Sequence, residues 1–111
     1  MTLFKSYQRV ETVDRRRLDA HLRAIIDILQ LRRDDTFTVN AIRQNFTSQT
    51  NNKISHMRDA IIQGDQMLGR EICQTIVLYT ECKSNSFYWI SRGIDAGLWY
   101  EVTPTLENET R

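Results

Sequence analysis

The chain has 111 residues, 41% of them hydrophobic and 26% charged, with a formal net charge of +1. That describes one ordinary globular domain, long enough to bury a core without disulfides or metal. No run of about 18 apolar residues occurs, so no membrane span is expected. Two cysteines and two histidines without ligand spacing give no basis for a zinc site or another cofactor.

Charge is unevenly placed: residues 1–44 carry +3, residues 45–70 carry +1 and residues 71–111 carry −3. The surface is therefore dipolar rather than strongly basic, unlike that of a protein bound mainly by phosphate attraction. The first residues, MTLFKSYQRVE, lack an apolar segment of signal-peptide length. A reduced, cytoplasmic setting is expected.

Residues 1–13 read as an N-terminal arm: either a helix with Leu3, Tyr7 and Val10 on one side, or a segment that docks on a partner. A helix is expected over 14–32, capped by Asp14 or Thr12, with Leu18, Leu22, Ile25 and Leu29 forming an apolar stripe that Ile26 and Ile28 widen. Arg15, Arg16 and Arg17, with Arg23, form the densest positive group. They are candidates for phosphate contact; the plainer reading is a solvated face paired with Asp19 and Asp27.

Residues 36–64 read as a short helix, a turn and a longer helix. Thr38 is a good N-cap, and Phe37 and Ile42 are placed for a hydrophobic staple. The first helix covers about 39–46; Asn45, Thr47, Ser48 and Gln49 carry turn chemistry. Thr50 can cap the second helix and Gly64 can end it in the left-handed conformation. Ile54, Met57 and Ile61 fall on one stripe, expected to face a core. The other face carries Asn52, Ser55, His56, Asp59 and Gln63, with Asn51 and Lys53 on its flanks.

Gly69 is a candidate turn. Residues 72–82 and 87–91 are rich in β-branched and aromatic residues around the turn-type cluster KSNS, and read as a β-hairpin turning near Asn85. A helix through Leu68, Ile72, Ile76 and Tyr79 competes, because that spacing is also helical. Leu98, Trp99 and Tyr100 either close the core or extend the sheet, or else form a partner surface. Residues 104–111 are a polar, acidic tail.

The helix pair over 36–64 resembles a helix-turn-helix, and three helices followed by a β-hairpin resemble a winged helix over residues 14–91. The expected fold class is α+β: a three-helix core containing the helix-turn-helix, then the wing, in one domain over 14–103. The resemblance implies that Asn51, Asn52, Lys53, Ser55 and His56, with Arg58 on a flank, approach double-stranded DNA. It further implies that Lys83, Ser84 and Asn85 form the wing tip. Arg15, Arg16 and Arg17 are then phosphate contacts. A two-fold dimer is expected, from the apolar first helix and the aromatic end around Trp99.

No catalytic constellation stands out. There is no glycine-rich phosphate loop, and Cys73 or Cys82 with His21 matters only if folding brings them together. The leading functional expectation is a small sequence-specific DNA-binding protein, a transcriptional regulator. The alternative is a non-enzymatic protein-binding module, a small inhibitor or adaptor encoded by a phage or plasmid. Near-neutral charge favours the alternative; the amide-rich helix favours the regulator.

Overall fold

The computed structural model describes residues 5–10 and 14–102. In chain order it has strand β1 (Ser6–Arg9), a 3-10 turn (Arg15–Arg17), helix α1 (Ala20–Leu29), strand β2 (Thr36–Thr38) and helix α2 (Val39–Ile62). Helices α3 (Gln66–Ser84) and α4 (Ser86–Asp95) and strand β3 (Trp99–Val102) complete it. The class is α+β: among the described residues, four helices stand beside a small antiparallel sheet of order β2-β1-β3. Thr12 and the tail at 104–111 lie outside the described residues.

The segment read as arm or helix supplies the central strand. Tyr7 and Arg9 point inward and alternate with Ser6 and Gln8, the period of a strand. Tyr7 pairs with Phe37 on one side and Glu101 on the other. Arg9 is buried, and its guanidinium donates to the Leu31 carbonyl at 2.7 Å, just past the carbonyl-rich end of α1.

The first helix begins later and ends earlier than expected. Asp14 caps only the 3-10 turn, accepting from the Arg16 amide. Asp19 caps α1 by accepting from the His21 amide, and Gln30 ends it at φ 52°. The expected apolar face holds: Leu22, Ile25 and Ile26 are buried, and Leu18, Ile28 and Leu29 pack against them.

Thr38 caps α2 as expected, its hydroxyl accepting from the Ala41 amide at 3.2 Å. Phe37 and Ile42 share the buried core. The expected turn at 45–49 does not form, and α2 runs unbroken through it for 24 residues, about 36 Å. The turn-type side chains satisfy themselves along the helix instead. Asn45 donates to the Ala41 carbonyl at 2.8 Å and Thr47 to the Arg43 carbonyl at 2.7 Å. Phe46, fully buried, holds that stretch against the core. Gly64, at φ 77°, ends the helix where expected, and Asp65 caps α3 through the Leu68 amide.

The expected β-hairpin is absent, and the competing helical spacing is what forms. Residues 66–84 are α3, with Gly69 inside it, and residues 86–95 are α4. Ile72 is buried and Ile76 and Tyr79 are half-buried, as one face of a helix packed on α2 requires. That packing outweighs the strand preference of Ile72, Thr75, Ile76 and Val77. Asn85 is the joint between two helices rather than the tip of a wing. The alternative for Leu98 and Trp99 that keeps them in the core holds: both are buried, and β3 extends the sheet.

Core and projection are therefore distinct. The sheet, α1, α4, the start of α2 and the end of α3 enclose Phe37, Ile25, Ile42, Phe46, Cys82 and Trp99. Helices α2 and α3 then run outward as an antiparallel pair, and the molecule measures 59 × 32 × 21 Å.

Candidate interaction surface

The register of the projecting pair is set at its base, where the Phe46 and Tyr79 rings meet edge-on at 5.2 Å. From there Phe46, Lys53, Met57 and Ala60 on α2 follow spacings of seven, four and three. Gly69, Ile72, Ile76 and Tyr79 on α3 follow three, four and three, the pattern of two helices packed along a seam. Only Ala60 and Ile72 are buried along the outer part of this seam.

One flank of the pair is apolar and open. Ile54 and Ile61 are exposed, Ile61 by 66%, while Met57 is half-buried. Of the stripe expected to face a core, α3 partly covers Met57, and Ile54 and Ile61 stay exposed among the described residues. Met57 and Ile61 line a groove of about 520 Å³ with Gly69, Arg70 and Cys73 of α3. Val77, four residues on from Cys73, is 52% exposed. The α1 helix covers the other flank at the base, where Ala24 and Ile28 meet Thr75, Leu78 and Tyr79 around a second cavity.

The residues expected to approach DNA fall in three separate places. Asn51, Asn52, Ser55, His56 and Arg58 are exposed on the outer half of α2, and Lys53 is half-buried in the seam. Lys83 and Asn85 lie at the base, beyond Tyr79, so more than about 20 Å of helix separates their level from His56. Arg15, Arg16 and Arg17 sit on the 3-10 turn before α1. Arg15 pairs with Asp27 at 2.8 Å and Arg16 with Asp14 at 3.2 Å, so two of the three are already engaged as surface ion pairs.

Folding does bring Cys82 to His21, but not as a nucleophile and base. The thiol donates to the His21 backbone carbonyl at 3.7 Å and is fully buried. Burial, with Glu81 and Asp19 nearby, pushes the thiol up to about 12. A thiol held protonated is inert. The His21 ring lies between Asp19 (3.1 Å) and Glu81 (2.9 Å) and stacks on Trp89 at 3.9 Å. It ties α1 to α3 and α4.

Comparisons with known families, curated proteins and solved structures give no match. The groove residues that the sequence reading does not pick out are Arg70, beside the candidate turn at Gly69, and Cys73 and Val77, within the expected strand. Their signal was the same helical spacing that passes through Ile72 and Ile76.

Proposed function

We propose that the protein is a non-enzymatic binding module whose projecting α2–α3 pair carries the contact surface for a protein partner. The observation that supports this is the open stripe of Ile54, Met57 and Ile61. Its spacing is that of a helix face made to be covered, yet the chain's own elements cover the opposite flank. Site-specific photo-crosslinking tests it. A crosslinker at position 61 should give a discrete protein adduct in cells, and one at position 52 should not. Equal labelling from both positions, or none from 61, removes the reading.

A second reading is sequence-specific binding of double-stranded DNA by a dimeric regulator, without the wing that the resemblance implied. It draws on one observation: Asn51, Asn52, Ser55, His56 and Arg58 are all exposed on the projecting helix. Contact would come from the side of one straight helix, since α2 has no break at 45–49. Asn52→Ala should then cost about 1–3 kcal/mol at one base pair, and Lys53→Ala should lower the salt dependence of binding by about one unit. Absence of salt-dependent duplex binding by the wild type removes this reading.

A further inference from the structure

The one charged residue that lines the open groove, among the described residues, is Arg70; Asp65, between the lining residues Gly64 and Gln66, caps α3 through the Leu68 amide. Arg58 sits on the helix surface between Ile54 and Ile61, four residues from one and three from the other. Toward the base the same flank continues to Arg43, whose guanidinium lies 5.6 Å from the centre of the exposed Phe87 ring. Arg43 lines a shallow pocket there with Gln44, Thr47, Ser48 and Asn51. Among the described residues, no aspartate or glutamate lines either depression. Asp59 is two residues from Ile61 and Glu71 two from Cys73, so both carboxylates project away from the groove. Neither Arg58 nor Arg70 has an ion-pair partner among the described residues.

We infer that the groove takes an amphipathic helix of another protein whose apolar stripe is bordered by aspartate and glutamate. This rests on the binding-module reading above and adds the chemistry of the partner. Three features select it. Ile54, on the helix surface beyond the groove, stands seven residues from Ile61 with Met57 between them, about 10 Å of anchor spacing, which matches two turns of an inserted helix. The groove is concave, as a helix requires, where a lipid surface would favour a convex apolar edge. The arginine rim is complementary to carboxylates and repels its own copy: a two-fold pairing through this face would set arginine near arginine with no carboxylate between them.

The test uses two designed, dye-labelled helical peptides with the same leucine stripe, one flanked by glutamate and the other by lysine, titrated against the whole protein by anisotropy. The glutamate peptide should bind more tightly by about tenfold or more, and salt should weaken it. Ile61→Ser should weaken both peptides, and Arg58→Glu with Arg70→Glu should reverse the preference. These positions are exposed, so unchanged melting curves show that the variants fold. Equal binding of both peptides, preference for the lysine peptide, or indifference to charge reversal overturns the inference. So does a dimer in sedimentation that Ile61→Ser dissolves, or competition by anionic vesicles or random duplex DNA for the same face. If no peptide binds while the adduct at position 61 persists, the partner chemistry is wrong and the binding surface stands. If the adduct is also missing, both fail.

Discussion

The indole of Trp99 lies against the Cα of Gly93, in the space a side chain at 93 would fill. Its Nε1 donates to the Ile90 carbonyl at 3.0 Å. Ile90 and Gly93 are three apart on one face of α4, so the first residue of β3 is fastened to the helix before it. Phe37 of β2 meets the same indole edge-on at 5.1 Å, which ties the sheet to α4 through one ring.

Gly93→Ala should therefore destabilise by about 1–3 kcal/mol or more, because the new methyl meets a ring that cannot retreat. Gly69→Ala should do the opposite. Nothing lies within 4 Å of a Cβ there, and replacing a glycine in the first turn of α3 contributes up to about 0.5–1 kcal/mol. Urea midpoints of the two variants should move in opposite directions; a shift of the same sign would contradict the packing described.

Local signals were legible and tertiary ones were not. Thr38 and Gly64 act within one turn of their own helix, so their roles could be read from neighbours alone. Asn45 and Thr47 look like turn residues because the hydrogen bonds that close a turn can also bend back onto a helix. Which occurs depends on Phe46 finding a core. Residues 72–82 offered both a strand preference and a helical spacing, and only the presence of α2 alongside decides between them. The β1 strand is four residues long, and its inward Arg9 looks like a surface residue until the Leu31 carbonyl is placed. For the candidate site, the apolar stripe of α2 was legible as a stripe. That it stays uncovered depends on the flank where α1 docks, which no local pattern records.

Substitution within the expected turn separates the two pictures of residues 45–49. In a continuous helix, Asn45→Ala and Thr47→Ala exchange weak helix formers for the best one and remove only exposed bonds to carbonyls. Each should be neutral or stabilising, by up to about 0.7 kcal/mol. A turn held by those side chains would instead lose stability. Thermal melts of both variants, with helicity followed by circular dichroism, check this.

Acid sensitivity should run through Asp19. Burial pushes its carboxyl up, but hydrogen bonds from the His21 ring and amide outweigh this and hold it below the ordinary 3.8. A carboxylate depressed in the folded state contributes stability above the unfolded value, and that contribution fades as pH falls below about 3.8 through the folded value. The side chain is 41% exposed, so screening keeps the effect under about 1 kcal/mol. Asp19→Asn keeps a good helix cap while removing the charge. Its stability should vary less with pH below 4 than that of the wild type, measured by urea titration across that range.

The two thiols should differ sharply. Cys73 is exposed in the groove and Cys82 is buried, with its thiolate disfavoured. At pH 8 an alkylating reagent should modify one cysteine per chain quickly, and peptide mapping should place it at 73. Modification at 82 should follow only at the rate of unfolding. Equal rates would mean that the end of α3 is not packed on α1.

Leu22 and Ile61 both fall on apolar helical stripes in the sequence, and the structure gives them opposite surroundings. Leu22 is 4% exposed, against Ile25 and Ile26 in the core. An aspartate there loses its hydration without gaining a partner, so Leu22→Asp should cost more than about 4 kcal/mol or prevent folding. Ile61 is 66% exposed, and an aspartate there stays in water. Ile61→Asp should change stability by no more than about 0.5 kcal/mol. The contrast bears directly on function, because an apolar residue that contributes nothing to the folded chain is free to serve a contact outside it. Guanidinium unfolding of both variants at two protein concentrations makes the comparison. A large loss for Ile61→Asp that does not depend on concentration would place Ile61 in the chain's own core and remove the open stripe. A loss that appears only at the higher concentration would mean that a second copy covers it.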